Sequence, residues 1–258
     1  MAPGPGPALT VDSVSKRFGA VQAVEDVSFA IEPGSLTCLI GPNGAGKSTL
    51  LHCVAGFLVP EEGRVELAGA EVSGWPPHRR ARAGIGTVFQ VMQAPRMDVW
   101  SSVMVGAHSW TRAGFLEGIV RPPWQWREER AIRAEAWQAL ELVGLDERAH
   151  DAADSLPLGQ LRLLSVARVL TQRPSVLLLD EPAAGLRAGE KGQLRKVLHD
   201  LRERGLTQLL VEHDMQFVGS VADRVIVLDR GKLIADGAPA EVRGDKRVVD
   251  AYLGTAVL

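Results

Sequence analysis

Apolar positions in this chain come in two rhythms, and the change from one to the other divides it into thirds. In the first third, short alternating or continuous apolar runs predict strands at residues 9–17, 24–31, 36–40, 63–67 and 85–89. Val27, Phe29 and Ile31 share one face, as do Val65 and Leu67, and Glu32-Pro33-Gly34 supplies a turn. From Gln93 to about Arg168 helix formers take over, together with Trp100, Trp110, Trp124, Trp126 and Trp137. Ile132, Ala136, Ala139, Leu140 and Val143 form a helical stripe within residues 127–143, which Gly144 ends and Arg121-Pro122-Pro123 separates from what precedes. The last third alternates strand (176–180), helix (189–204) and strand (208–212), then a hairpin, 225–228 with 232–235, turning at Asp229-Arg230-Gly231. A strand as uniformly apolar as Val176-Leu177-Leu178-Leu179 belongs in a parallel sheet covered on both faces. The expected fold is therefore α/β: a core with a parallel sheet, an antiparallel β subdomain, and a helical subdomain inserted over residues 91–168.

One run gives that core a chemistry. Gly41-Pro42-Asn43-Gly44-Ala45-Gly46-Lys47-Ser48-Thr49 fits G-x-x-x-x-G-K-[ST], the phosphate-binding loop, and lies between a predicted strand and helix-compatible spacing that ends at Gly56. Gly41, Gly44 and Gly46 let backbone amides curl around phosphate oxygens, and a helix N-terminus adds unpaired N–H groups and a positive dipole end. Lys47 would reach the β- and γ-phosphates, and the Ser48 hydroxyl would ligate Mg²⁺. Without the strand and helix around it, the run would read as an ordinary glycine-rich turn.

Asp180 and Glu181 end the apolar run at 176–179, on the strand edge where parallel sheets bind ligands. Asp180 suits the Mg²⁺ shell, and Glu181 is placed to orient or deprotonate an attacking water. Bulk properties narrow the setting. A net charge of −2 and no basic block speak against a nucleic-acid partner, and no apolar stretch is long enough to span a bilayer. Residues 1–7 read as a disordered tail without signal-peptide character, and the chain by itself as soluble and intracellular. Cys38 and Cys53 read as small core residues.

Leu156-Pro157-Leu158-Gly159-Gln160, followed by Arg162, resembles the signature loop L-S-G-G-Q of ABC transporter ATPases, just upstream of the Asp-Glu strand as in that family. Gln90 resembles its glutamine loop, His213 its switch histidine, and Phe18 its adenine-stacking aromatic. Taken singly, these three would pass for a surface amide, a strand-end polar residue and a core ring; the motifs occur in the family's order over the whole chain. The resemblance implies a P-loop ATPase occupying residues 8–258, with Phe18 on adenine, and Lys47, Ser48, Gln90 and Asp180 on phosphates and Mg²⁺. Glu181 would then address the water and His213 the γ-phosphate. It further implies head-to-tail pairing with a second cassette, the signature loop of each covering the ATP of the other.

Glu181-Pro182-Ala183-Ala184-Gly185-Leu186 and Val211-Glu212-His213-Asp214-Met215 resemble the branched-chain amino acid uptake branch, as do Val103–His108, Arg112–Leu116 and the tail at 237–258. That branch implies two membrane permeases and, indirectly, an extracytoplasmic binding protein, with this chain peripheral on the cytoplasmic face. Sister branches importing amides or urea share these stretches. Pro157 stands where the signature has Ser, and Arg187 where the D-loop has Asp or Asn. Both act across the pair, so they imply a weakened facing site and a partner that is a paralogous cassette, with a second copy of this chain as the alternative. Two other readings stay open: a soluble ABC ATPase acting on DNA or ribosomes, which would ask for a basic linker or coiled-coil insertion, and a non-hydrolysing regulatory cassette, against which Glu181 and His213 stand.

Overall fold

The computed structural model describes residues 6–89, 96–107 and 123–253, without the side chains of 123–128 and 253. A six-stranded sheet carries the architecture. Its order is β10(Lys232–Gly237), β9(Arg224–Asp229), β3(Leu36–Ile40), β8(Thr207–Val211), β7(Val176–Asp180), β6(Ile85–Val88). All neighbours run parallel except the β9–β10 hairpin. A second, antiparallel sheet has the order β2(Val21–Ile31), β1(Leu9–Phe18), β4(Glu62–Leu67), β5(Ala70–Glu71).

The uniformly apolar strands have their expected cause, burial on both faces. Leu177 and Leu179 enter one core with Cys38, Ile40 and Leu210, against α5(Leu158–Leu170), α6(Ala188–Glu203) and α7(Met215–Val221). Val176 and Leu178 enter the other with Leu39, Leu209 and Val211, against α1(Lys47–Ala55) and the antiparallel sheet, where Val27, Phe29, Ile31, Val65 and Leu67 all point inward. Cys38 and Cys53 belong to different cores and are both free. Burial raises both thiols, Cys53 to about 11, so each behaves as a small apolar group.

Between β6 and β7 the chain builds a helical layer from α3(Val99–Gly106), α4(Pro123–Val143) and α5, each packed on the other two. The predicted stripe Ile132, Ala136, Ala139, Leu140, Val143 is buried there, and Gly144 closes α4 at φ 70°. α4 starts one turn before residue 127, because the first position of a helix needs no N–H and tolerates Pro123. Trp100 and Trp137 stack 5.7 Å apart. Trp110 lies outside the described residues, as does Gln90, and so do residues 1–5 of the expected tail. Among the described residues, no helix is long and apolar enough to cross a membrane.

α2(Pro77–Ala83) was not foreseen: its sequence, Pro-His-Arg-Arg-Ala-Arg-Ala, has no apolar stripe. Arg80 holds it in place. This fully buried arginine donates to the carbonyls of Cys53 and Val54 at 2.6 and 2.7 Å, closing the C-terminal end of α1, and to those of Ser73 and Trp75. Removing the guanidinium takes four donated bonds from these carbonyls, of which that of Cys53 keeps another donor, the Gly56 N–H. Arg80→Met should therefore lower the unfolding free energy by about 3 kcal/mol or more, read as a shifted urea midpoint at unchanged slope.

Candidate active site

The C-terminal ends of β3, β7 and β8 open on one side of the sheet, and the phosphate loop occupies that edge. Asn43, Gly44, Ala45, Gly46, Lys47, Ser48 and Thr49 line a cavity of about 450 Å³ together with Glu181. Gly41 leaves β3 at φ 150°, where an added Cβ would meet the Leu228 carbonyl at 2.1 Å. Gly46 opens α1 at φ 100°, where a Cβ would meet the Ala23 carbonyl at 2.2 Å. Both glycines are thus required by backbone conformation and by close approach of another strand. Pro42 lies between them, and its carbonyl and that of Gly41 accept from Lys47 Nζ at 2.9 and 2.8 Å.

Lys47 is buried, which lowers its pKa, while the Glu181 and Asp180 carboxylates pull it back up. Asp180, at the end of β7, is also buried; burial and then Glu181 raise its pKa, opposed by His52, Lys47 and Arg162. Its Oδ1 is buried without a hydrogen-bond partner. A hard cation satisfies such an oxygen, and a single carboxylate with a hydroxyl is a fitting donor set for Mg²⁺, which takes its remaining ligands from phosphates and water. Ser48 and Asp180 would hold that ion, which would neutralise charge on the phosphates.

Glu181 has φ 46°, a left-handed conformation unusual for a residue with a side chain, and the kind of strain that collects at functional sites. Its N–H donates to the Val211 carbonyl at 2.9 Å, tying the turn after β7 to the end of β8. His213 follows on that neighbouring strand end, with Nδ1 3.9 Å from Glu181 Oε2. Phe18 closes β1, half exposed beside the Phe18–Val21 pairing, so an apolar ring flanks the cavity mouth where Val21 lines it. Phe89 packs on His52 and Phe57 at 5.7 and 4.9 Å, immediately before Gln90.

Leu156, Pro157, Leu158, Gly159 and Gln160 do not join this cavity. Pro157 is the N-cap of α5 and offers no side-chain cap. Gly159 abuts Glu190 of α6, where a Cβ would lie 2.6 Å from Oε1, and Gln160 accepts from Arg148 at 2.5 Å. Arg187 caps α6, its N–H donating to Glu190 Oε2 at 2.8 Å. Four cavity residues escaped the sequence reading: Val21, Gln22, Ala23 and Arg230. The only signals for them were the hairpin turn holding Arg230 and the glycine at 46 that admits Ala23. Tyr252, on the C-terminal helix α9(Lys246–Leu253), was also missed as a site neighbour: burial raises the pKa of its hydroxyl, and the nearby Gly41 backbone opposes that rise.

A glycine loop at a helix N-terminus, with an Asp-Glu pair at the same sheet edge on the strand one removed, defines a P-loop nucleotide-binding protein. Residues 24–184 match the ABC transporter family model, and residues 232–257 match that of the branched-chain amino acid ATP-binding cassette transporter. The chain is 40% identical to the high-affinity branched-chain amino acid transport ATP-binding protein BraF of Pseudomonas aeruginosa, over 97% of this chain and 99% of that one. It is 37% identical to the corresponding protein LivG of Escherichia coli, over 97% and 99%. A crystal structure of the ADP conformation of an ABC transporter cassette superposes with a TM-score of 0.84 at 30% identity, covering 96% of this chain and 99% of the other. The chain belongs to the ABC transporter family, as an ATP-binding cassette with ATPase chemistry.

The geometry at Gly46 gives a test of the loop. Gly46→Ala forces the Ala23 strand or α1 to move, so ATP affinity should fall at least tenfold, measured with a fluorescent nucleotide. Gly44→Ala meets no atom within 4 Å and carries only the strain of φ 78°, so its loss should be smaller.

Proposed function

We propose that this cassette powers the import of branched-chain amino acids through separate membrane permeases, as a peripheral subunit on the cytoplasmic face. The observation that carries the ATPase part is the convergence of Lys47, Asp180, Glu181 and His213 on one sheet edge beside the glycine loop. Support for the solute comes from the tail at 232–257 and from relatives whose names state branched-chain amino acid transport. Urea or amide import is the alternative within the same architecture.

In this reading Phe18 stacks on adenine while the amides of residues 43–49 and Lys47 hold the phosphates. Glu181, strained at a strand end and lining the cavity, takes the proton of the attacking water. His213 stands close enough to Glu181 to contact the γ-phosphate. Gln90, outside the described residues, would couple the nucleotide to the 91–168 insertion, the permease-facing part in this reading. Leu156–Gln160 opens α5 and lines no part of its own cavity, and would cover ATP on a second cassette. Pro157 and Arg187 then weaken the partner's site and leave this one intact, which favours a paralogous partner. The working unit is thus two cassettes, two permeases and an extracytoplasmic binding protein.

Glu181→Gln in the complete transporter should retain ATP binding and lose turnover by on the order of 100-fold or more. Parent-like turnover would remove Glu181 from the general-base role. Leucine, isoleucine or valine uptake by the assembled complex, with urea and acetamide as competitors, tests the solute.

A further inference from the structure

Glu212 stands between two motifs and neither uses it. Among the described residues it is the only carboxylate with no solvent exposure at all, at 0%. A carboxylate taken out of water costs several kcal/mol unless amides or cations replace the lost hydration. Here two amides do so. Oε1 accepts the Ala183 N–H at 2.7 Å, and Oε2 accepts the His213 N–H at 3.2 Å. Burial raises the Glu212 pKa and Glu181 adds to that, while the two amides and His213 oppose it. Of the carboxylates acting on the buried Arg162 guanidinium of α5, Glu212 acts most strongly, ahead of Glu181 and Asp180.

The groups so joined lie on three separate segments. Ala183 belongs to the turn that begins at Glu181 and ends at Arg187. His213 belongs to the loop after β8. Arg162 belongs to the helix that follows Leu156–Gln160. The backbone of the first two is already tied by the Glu181 N–H to Val211 carbonyl bond, and Glu212 N–H donates to the Leu39 carbonyl at 3.2 Å, one residue before the end of β3. The carboxylate therefore sits at a fixed point of the sheet edge and fastens the loop and the turn to it. Its two oxygens point at two different amides, so neither segment can shift without breaking a charge-assisted bond.

We propose that Glu212 is a positioning residue for ATP hydrolysis that acts through His213, clamping the histidine loop to the turn after Glu181. The proposal rests on the reading of His213 as the γ-phosphate contact. A well-placed histidine side chain 3.9 Å from Glu181 depends on its backbone, and Glu212 fixes that backbone from inside the protein. Because the same carboxylate holds Ala183, a displacement of the turn carrying Arg187 reaches His213 directly. Glu212 touches no substrate, so its contribution appears in turnover and not in nucleotide affinity.

The test is a double-mutant cycle in the complete transporter. Glu212→Gln keeps the volume but sets an amide donor against one of the two N–H groups. We expect kcat to fall on the order of tenfold in the parent background and less than about twofold in a His213→Ala background. ATP affinity of the isolated cassette should stay within about twofold, with its melting temperature recorded alongside. Equal losses in both backgrounds, or a parallel loss of ATP affinity, would overturn the proposal and leave Glu212 as a structural carboxylate. Parent turnover in His213→Ala alone would remove the histidine's role, a failure of the underlying reading that the cycle separates from the first. Where Glu212→Gln does not fold, Glu212→Asp, which keeps the charge but shortens its reach, is read in the same two backgrounds against the same expectations.

Discussion

A sheet buried on both faces leaves only its edges for chemistry, and in this chain that constraint places everything else. β3, β7 and β8 carry alternating residues into two cores, and the few polar side chains along them are buried: Thr207 and Gln208 bond to backbone groups, while Thr37 Oγ1 has no hydrogen-bond partner among the described residues. At their C-terminal ends the strands release Gly41, Glu181 and Glu212 within a few residues of one another in register. The phosphate loop, the Asp-Glu pair and the histidine loop come from distant parts of the sequence, yet hydrogen-bond register alone brings them side by side. The N-terminal edge carries no such collection: there Asp223 accepts the Leu36 amide and pairs with Arg202, which closes the sheet without chemistry.

The electrostatics of the working edge follow from its depth. Lys47, Asp180 and Glu212 are all buried, and burial moves the pKa of each toward its neutral form. Proximity opposes that shift. Asp180 and Glu181 favour the Lys47 ammonium, Lys47 and Arg162 favour the Asp180 carboxylate, and backbone amides favour that of Glu212. In a medium of lowered dielectric such pairs act more strongly than in water, so an incoming polyphosphate enters a field that is already arranged. Preorganisation of this kind also explains why the left-handed strain at Glu181 is tolerated: the Val211 carbonyl and the Pro182–Ala183 turn hold it from both sides.

Much of this was legible in the residues themselves. The continuous apolar run before Asp180 predicts a doubly covered parallel strand, and the glycine spacing at 41–46 predicts a backbone that carries no Cβ, because both signals are local. What escaped was long-range or lacked periodicity. α2 has no apolar stripe and exists because one arginine, Arg80, satisfies carbonyls on another helix. Val21, Gln22 and Ala23 reach the loop only because β2 crosses over Gly46, a distance that no spacing rule encodes. Tyr252 stood inside a recognised tail, but nothing in sequence says that its hydroxyl lies near Gly41.

The placement of Leu156–Gln160 bears on the proposed pairing with a second cassette. The segment begins α5 on the far side of Glu190 and Gly185, packed against α6 and the turn after Glu181, and it lines no part of the phosphate cavity. Leu158 is exposed, and the α5 N-terminus at Pro157 has no side-chain cap. Surfaces of that kind are completed from outside, and the proposed second cassette supplies the nucleotide that would complete this one. Arg162 then sits where the two proposed functions meet: it follows the segment proposed to address a partner's nucleotide, and the carboxylates of Glu212, Glu181 and Asp180 all favour its charge. A shift of α5 toward or away from such a partner would therefore change the field at Asp180 and Glu181 without any rearrangement of the sheet.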